Sequence, residues 1–475
     1  MIHPSIPPPT RGVQSSPVSA ATAAPREDVA TDHRRRDRFI AWLGVLTAIQ
    51  LGLFLWYLKA TIIRQPFWDM YSYVLHYLQY REDGGLWMYL WEAHGGHRPI
   101  WSRLLAAIDV EGFSGAAYPF IVSTTAFQLT AAWLLWRECR SGVPGQFGSA
   151  LGCIVLMLVL TSVAAVDCAI PIECAYPQAL TFSVLAIVLF AGGGEPDGTD
   201  RHATHWRRGA ALAAAVAAPL GNAVGLVTLP ILLWMAWRVR AGRWWIAAVA
   251  LFGTAFVASY LAGQSIAPGT GAAGSDPPSL ASRVDYLITY LGLPWTRAAA
   301  LAIPGRIVGV ILLLAGVWAV IRRGLLGRSA GRFEIVSVAL IMFSLGTAVL
   351  AAIGRPGVSP SETVLVPVRY SVLLTPLHVG LLFIASPVLY RLWNDRARWP
   401  AVAAAMATAA GLLLVQQVGA GQAAVTITSR MRATIARFEA GYTDPGMTTV
   451  ILSDLEQARR ELAIIRGAGL YSNVR

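Results

Sequence analysis

A segment dense in titratable and aromatic side chains lies between residues 65 and 99. Its candidates for chemistry are Asp69, Glu92, His94, His97 and Arg98. A carboxylate can accept the proton of an attacking hydroxyl in a transition state, so Asp69 is a candidate general base and Glu92 is its nearest competitor. Asp69 also stands before a run that favours a helix, so a role as N-cap is the structural alternative.

The two histidines and the arginine beside them form a candidate phosphate site. A guanidinium offers a fixed fork of donors, and His94 and His97 add titratable donors next to Arg98. Gly95 and Gly96 would let the backbone approach a ligand closely. The alternative is a loop in which these side chains contact lipid headgroups.

Two further arginines, Arg355 and Arg369, stand near the ends of apolar runs late in the chain. Both fall on the predicted outer side of the membrane, although basic residues are concentrated on the cytoplasmic side. Their placement therefore needs an explanation. A polyprenyl phosphate or diphosphate, with its charge at the membrane surface and its tail in lipid, would supply one. Anchoring to lipid headgroups is the competing explanation.

A short predicted outer segment, residues 167–178, carries polar groups suited to contact sugar hydroxyls. They are Asp167, Glu173, Tyr176 and Gln178. The same segment holds Cys168 and Cys174, which would form a disulfide only in an oxidising compartment and only if the sulfurs meet. A bridge and two free thiols are therefore both open.

Composition places these residues in a membrane protein. The chain has 475 residues, is 55% hydrophobic and has a mean hydropathy of +0.54. Its charged fraction of 13% compares with about 25% in soluble domains, which excludes a soluble enzyme. All basic residues but Lys59 are arginine, and the formal charge of +12 is expected from cytoplasmic loops rather than from binding nucleic acid. No glycine-rich phosphate loop and no His/Cys set with zinc spacing occurs, so neither a nucleotide-driven motor nor a metal is predicted, although a divalent metal stays possible.

Apolar runs predict an all-α polytopic protein with about eleven transmembrane helices. The runs are 39–58, 116–136, 147–166, 179–193, 210–221, 223–237, 244–262, 301–321, 333–353, 370–390 and 399–421. Arginines recur in alternate loops, which favours a cytoplasmic amino terminus in a bacterial plasma membrane. Residues 210–237 are the least regular, because Pro219, Gly221 and Asn222 interrupt the run, and two short helices or one re-entrant segment fit equally.

The predicted division of the chain follows from these spans. Residues 1–38 are predicted to be a disordered cytoplasmic tail, and residues 39–424 a transmembrane domain. The predicted extracytoplasmic loops are 60–115, 167–178, 263–300 and 354–369. Residues 425–475 form an outer tail, with an amphipathic helix from about 453 to 466 that is expected to cap the outer face.

The pattern resembles the bacterial GT-C-type membrane glycosyltransferases, which use polyprenyl-phosphate sugars, over the whole chain. The shared features are an acidic residue in the first outer loop and many helices. More narrowly it resembles a largely uncharacterised subgroup with five short elements, which are His97-Arg98, Gln178, Gly221-Asn222, Tyr290-Leu291-Gly292-Leu293-Pro294, and Gly354-Arg355 with Arg369-Tyr370. In this subgroup a Glu is often next to the His, whereas Gly96 stands there in this chain.

The resemblance implies a GT-C-like fold and transfer of a sugar to a lipid, glycan or protein acceptor. Asp69 would be the base that activates the acceptor hydroxyl. The donor phosphate would be held by His97, Arg98, Arg355 and Arg369. Substrate contacts are expected from His94, Glu173, Gln178, Asn222 and Tyr370.

Three other functions compete with this one. A transporter or lipid flippase would show ionisable residues at the bilayer midplane, discontinuous helices and paired halves. The only candidates for the midplane residues are Asn222 and Arg306. A non-catalytic assembly protein would need no cluster of acid, histidine and arginine on one face. A glycan ligase or polymerase would be expected to carry its main catalytic loop late in the chain.

Overall fold

The computed structural model describes residues 26–94, 96–192, 201–263, 279–299, 302–327, 331–354, 368–451 and 454–471. Within these ranges the chain is helical and contains no strand. The α-helices are α1 (Arg26–Thr61), α2 (Asp69–Glu82), α3 (Leu86–Trp91), α4 (Ile100–Phe113), α5 (Tyr118–Gly142), α6 (Gly145–Val159), α7 (Ser162–Ala169), α8 (Ala175–Gly192), α9 (Arg201–Ala217), α10 (Thr228–Arg238), α11 (Arg243–Leu261), α12 (Leu280–Ala299), α13 (Ala302–Ala319), α14 (Arg332–Gly354), α15 (Thr375–Asn394), α16 (Trp399–Glu439) and α17 (Leu455–Gly467).

Seven helical segments in the described ranges are long and apolar enough to cross a bilayer. They are Thr31–Thr61, Pro171–Gly192, Arg243–Leu261, Gly305–Leu325, Arg332–Gly354, Tyr370–Asn394 and Trp399–Glu439. An eighth would be the pair α6 and α7, which is bent by 46°. The protein is therefore an all-α membrane protein.

A helix lies at each of the eleven intervals that the sequence predicts, but not every one is a complete span. With 11 residues, α10 is about 16 Å long at 1.5 Å per residue, against a hydrocarbon core of about 30 Å. Its neighbour α9 begins in a polar stretch with Arg207 and Arg208. Eleven spans thus remain a prediction, because seven or eight helices meet the criteria of length and apolarity.

Two of the four predicted outer loops, 60–115 and 167–178, meet at one end of the helix bundle, here called the site end (described residues 60–94, 96–115, 167–178, 217–222, 431–451 and 454–471). Of the other two loops, residues 264–278, 300 and 355–367 lie outside the described residues. The backbone N–H of Ile63 donates to the carbonyl of Ala169 at 3.3 Å, which joins the first loop to the end of α7. The indole of Trp101 donates to the carbonyl of Ala217 at 3.2 Å. These two bonds join the first loop to the 167–178 loop and to the end of α9.

The arginine-bearing loops meet at the opposite end, here called the basic end (described residues 26–38, 137–146, 201–208, 237–243, 322–327, 331–332 and 391–399). Arg332 pairs with the buried Glu138 at 2.7 Å. Arg396 pairs with Asp32 at 2.6 Å, and so links the loop before α16 to the first turns of α1. The alternation of basic and non-basic loops read from the sequence thus corresponds to two physical ends of the bundle.

Two helices extend past their predicted bounds. The structure has α1 begin at Arg26, so residues 26–38 are helical rather than a tail, and Arg36 lies over the rings of Trp393 and Trp399 at 5.8 and 5.9 Å. The last long helix, α16, crosses the predicted boundary at 424 and continues to Glu439. With 41 residues it is about 60 Å long, so it reaches well beyond a bilayer core. Tertiary contacts at each end stabilise these extensions.

The irregular stretch between α9 and α10 is a break between two short helices. Two 3₁₀ turns, Ala218–Leu220 and Ala223–Val227, separate them. Asn222 caps the second turn, because its side-chain oxygen accepts a hydrogen bond from the N–H of Val224 at 3.1 Å. Gly225 is required there, since a Cβ would lie 2.4 Å from the carbonyl carbon of Ala218.

A second hydrophobic core lies at the site end, apart from the main core of the bundle. It joins α2–α4 to a C-terminal cap, defined as residues 431–471. The cap contributes buried side chains that include Met431, Ile435, Ile451 and Ile465. Asp454 caps α17 through the N–H of Gln457, so the amphipathic helix predicted at 453–466 is confirmed at Leu455–Gly467.

Candidate functional site

Asp69 is the first residue of α2, at the site end. Trp68 occupies the N-cap position with φ of +47°, and its N–H donates to the carbonyl of Ile451 in the C-terminal cap at 2.8 Å. The N-cap role proposed for Asp69 is thus taken by Trp68. The Asp69 side chain is 50% exposed and lies in the first turn of the helix.

His94 and His97 face each other across a tight turn. The N–H of His94 donates to the carbonyl of His97 at 2.8 Å, and the N–H of His97 donates back at 2.9 Å. Gly96 has φ of +80°, a conformation that side chains disfavour. Opposed residues in such a bridge project to the same side, so the turn presents both imidazoles together.

The turn brings His94 to Asp69. Nε2 of His94 lies 3.3 Å from Oδ2 of Asp69, and the imidazole packs edge-on against Tyr73 with ring centres 5.3 Å apart. Burial raises the pKa of Tyr73 well above its ordinary value, and the Asp69 charge adds to this, so Tyr73 stays a neutral phenol. The result is a half-exposed carboxylate with an imidazole as neighbour, which suits acceptance of a proton from a hydroxyl.

Glu92 is held by ion pairs with a buried arginine and a partly exposed histidine. Its Oε2 lies 2.9 Å from a guanidinium nitrogen of Arg103 and 3.0 Å from Nδ1 of His76. Arg103 is fully buried, and it also donates to the carbonyls of Tyr89 and Glu92. Glu92 therefore neutralises a buried cation, and its carboxylate is less available to a substrate than that of Asp69.

Arg98 joins the histidine turn to the end of α11. Its guanidinium donates to the carbonyls of Trp91, Tyr260 and Ala262, and its backbone N–H donates to the hydroxyl of Tyr260 at 3.0 Å. Burial lowers the pKa of this guanidinium. With these donors directed at backbone carbonyls, Arg98 positions the turn, and a phosphate would compete with three existing hydrogen bonds.

Gln178 and Asn222 lie around the break between α9 and α10. Nε2 of Gln178 donates to the carbonyl of Ala217 at 3.0 Å, the same carbonyl that accepts from Trp101. Gly221 packs directly on this amide, since a Cβ there would lie 1.5 Å from Oε1 of Gln178. Both Gln178 and Asn222 are buried, so they shape the break from inside the protein.

Tyr370 lies in a cluster of tyrosines beside the site. Its ring meets Tyr176 at 5.1 Å and Tyr290 at 5.8 Å, and the hydroxyl of Tyr290 donates to its carbonyl at 3.4 Å. Glu173, at 3% exposure, belongs to a 3₁₀ turn, Pro171–Cys174, that leads into α8 beside Tyr176. Through Tyr176, three residues after Glu173, Tyr370 packs against the start of α8.

The two late arginines are described only in part. Arg369 belongs to the 3₁₀ turn Val368–Leu374, which fixes its backbone next to Tyr370, while Arg355 lies outside the described residues. Cys168 and Cys174 are both buried and free, and Sγ of Cys174 lies 3.2 Å from the hydroxyl of Ser102. In the described ranges no group of three or more His, Cys, Asp or Glu side chains is arranged to hold a metal.

Sequence reasoning did not find Arg103 or His76. A signal for Arg103 was present, because it interrupts the apolar run of α4, where a charged residue needs a buried partner. His76 carried no signal, since its link to Glu92 depends on how α2 and α3 pack. The structure thus groups Asp69, His94 and His97, supports them with Glu92, Arg98 and Arg103, and places Tyr370 in an adjacent cluster.

No known protein family, curated protein or solved structure matches this chain.

Proposed function

We propose that this protein is an integral membrane glycosyltransferase that moves a sugar from a polyprenyl-phosphate donor to a lipid, glycan or protein acceptor. The observation that carries the proposal is Asp69, which stays half exposed beside His94 while the neighbouring charged groups, Glu92 and Arg103, are paired with each other. A carboxylate placed in this way at the surface of an apolar bundle suits a lipid-linked substrate.

In the proposed reaction Asp69 accepts the proton of the acceptor hydroxyl as its oxygen attacks the anomeric carbon of the donor. The bond from that carbon to the phosphate oxygen breaks, and the polyprenyl phosphate leaves with the electron pair. Attack opposite the leaving group inverts the anomeric centre. His94 orients the carboxylate, and positive charge from His97, Arg355 and Arg369 would stabilise the departing phosphate.

The site geometry refines the roles expected of other residues. Glu92 and Arg98 are assigned to positioning, because one is held by Arg103 and the other by three backbone carbonyls. Glu173, Gln178, Asn222 and Tyr370 are proposed to shape the sugar pocket.

The same proposal includes an orientation. With a cytoplasmic amino terminus, about eleven spans and a GT-C-like arrangement, the basic end lies in the cytoplasm and the site end faces outward in a bacterial plasma membrane. The concentration of arginines at one end of the bundle supports this orientation. A lipid-linked donor suits an outward site, because it needs no nucleotide there.

A transporter or flippase is the second candidate, and one observation favours it. The break between α9 and α10 interrupts the helix beside the buried side chains of Asn222 and Gln178. Discontinuous helices of this kind occur at transporter binding sites.

The test is transfer of labelled sugar by the purified full-length protein in detergent, from a panel of polyprenyl-phosphate hexoses and pentoses. We expect Asp69→Asn to lower kcat by roughly 10²-fold to 10⁴-fold, because it removes the base but keeps the volume. Glu82→Gln, a neutralised acid at the exposed end of the same helix, is the matched control and should leave turnover unchanged. Equal turnover in wild type and Asp69→Asn would remove Asp69 from catalysis. No turnover with any donor, together with lipid movement in vesicles, would favour the transporter.

A further inference from the structure

A groove of about 460 Å³ lies at the basic end, opposite the candidate site. It runs between the end of α10 and the start of α11, and six residues line it: Trp237, Arg238, Arg240, Gly242, Arg243 and Ile246. Half of this lining is arginine and none of it is acidic.

The three arginines have no acidic partner in the part of the chain that the structure describes. Arg238 donates to the carbonyl of Gly327, and the side chains of Arg240 and Arg243 are exposed. Arg240 holds this position with φ of +49°, and Gly242 follows with φ of +90°. The connection between the helices thus brings three arginines into the lining of one groove.

The start of α11 adds a second attraction for an anion. Gly242 is its N-cap and provides no side chain to accept from the first N–H groups. Those N–H groups and the helix dipole together favour a negatively charged group at this position. The N-terminus of α11 and the groove arginines therefore both attract an anion to the same groove.

Exposed aromatic and aliphatic side chains around the groove point to the source of the anion. Trp237 and Trp244 are 55% and 78% exposed at the ends of their helices, as is typical of side chains at a membrane interface. Leu251 and Phe252, farther along α11, are also exposed. Acyl chains that pack along α11 would bring their headgroup directly to the groove.

We propose that this groove binds the phosphate of an anionic phospholipid headgroup. The acyl chains lie along the exposed face of α11, the phosphate meets Arg240, Arg243 and the first turn of the helix, and the rings of Trp237 and Trp244 pack at the headgroup level. The site is independent of the sugar-transfer proposal, because it lies at the other end of the bundle.

The test measures binding of phosphatidylglycerol to the full-length protein in neutral detergent, by native mass spectrometry. We expect the double variant Arg240→Gln and Arg243→Gln to weaken binding by about tenfold or more, since each arginine near an anionic headgroup contributes about a factor of five. The matched control, Arg322→Gln with Arg391→Gln, removes two exposed arginines of the basic end that lie outside the groove and should bind as wild type does.

Three outcomes would overturn the proposal. If the groove variant bound phosphatidylglycerol as well as wild type does, Arg240 and Arg243 would not be part of the binding site. If the control variant lost as much affinity as the groove variant, the loss would be a general effect of charge. The site would also not be one for anionic lipid if a competitor bound as tightly as phosphatidylglycerol. The competitors to measure are inorganic phosphate and the zwitterionic lipid phosphatidylcholine. A monodisperse elution profile and an unchanged Tm show that each variant is folded.

Discussion

Oδ2 of Asp69 and Nε2 of His94 lie 3.3 Å apart although two separate elements carry them. Asp69 is held by the bond from Trp68 to Ile451, and so by the C-terminal cap. His94 is held by a turn that Arg98 joins to the end of α11. The central pair of the site therefore depends on contacts with distant parts of the chain.

His94 is expected to act through Asp69. Replacing His94 by Phe keeps a ring against Tyr73 but removes the neighbour of the carboxylate, and a misplaced carboxylate should lower kcat by up to about a hundredfold. The measurement is steady-state transfer by the single variants and by Asp69→Asn with His94→Phe. If His94 works only through Asp69, the double variant will be no slower than Asp69→Asn; independent effects that multiply would contradict this role.

Glu92 is expected to stabilise the fold because it neutralises Arg103. Glu92→Gln leaves a fully buried guanidinium without its counter-charge, and we expect a loss of about 2 kcal/mol in the free energy of unfolding. His76→Ala removes a second partner of the same carboxylate at a more exposed position and should cost less. Thermal unfolding of the purified protein measures both. If the Glu92→Gln protein were as stable as wild type but had lost sugar transfer, the structural role would be refuted. Glu92 would then be the candidate general base.

The break between α9 and α10 should be sensitive to one methyl group. Gly221→Ala would place a Cβ 1.5 Å from Oε1 of Gln178, so the amide must turn away and lose its bond to Ala217. We expect a cost of about 1–3 kcal/mol. Adding Gln178→Ala removes the clash, and the double variant should be no less stable than Gln178→Ala alone. Gly209→Ala, which meets nothing within 4 Å, is the control, and an equal loss there would refute the argument.

The sequence predicted the helices better than their ends. Apolar runs follow from burial in lipid, so a helix appears at every predicted interval. The starts and ends depend on contacts that no local pattern contains, such as Arg36 between Trp393 and Trp399, or Ile435 in the second core. The number of spans cannot be read from apolar runs for the same reason. A helix as short as α10 is too short to cross a bilayer by itself, so its role depends on how it packs with neighbouring helices.

The sequence predicted a cluster of titratable side chains in the first outer loop, but not the partners that each one has in the fold. His94 and His97 meet because the loop between them is short and rich in glycine, whereas Asp69 reaches His94 only through the packing of α2 against the histidine turn. Arg98 and Glu92 looked equally suited to a substrate, and their carbonyl and guanidinium partners became visible only in the packed structure. A charged residue identified from its type alone is often already neutralised by the fold.

The C-terminal cap is expected to hold the first turn of α2 in place. Ile465 is fully buried in the second core, and Ile465→Ala should destabilise the cap locally by about 2–5 kcal/mol. Hydrogen exchange at residues 64–72 should then accelerate, because the bond from Trp68 to Ile451 loses its support. Ile464→Ala, next along α17 and 53% exposed, is the matched control. Unchanged exchange at residues 64–72 in Ile465→Ala would separate the cap from the site.

A buried acid in α4 makes stability depend on pH. Asp109 is 1% exposed, and Oδ2 accepts a hydrogen bond from the N–H of Ala117 at 3.0 Å. Burial raises the pKa of Asp109 from 3.8 to about 6, and the bond from Ala117 opposes this only in part. Between these two values the folded protein binds more protons than the unfolded chain, so the free energy of unfolding falls as pH rises from about 4 to above 6.

The rise in the pKa of Asp109 corresponds to a loss of about 3 kcal/mol at pH 7. Asp109→Asn cannot ionise and keeps an oxygen for the N–H of Ala117, so its Tm should exceed that of wild type by a margin that grows between pH 4 and pH 7. Differential scanning fluorimetry of both proteins across this range isolates the effect, because all other titrating groups are shared. Parallel Tm curves would show that Asp109 ionises near its ordinary pKa, and a margin that shrinks with rising pH would show that the folded protein stabilises its charged form.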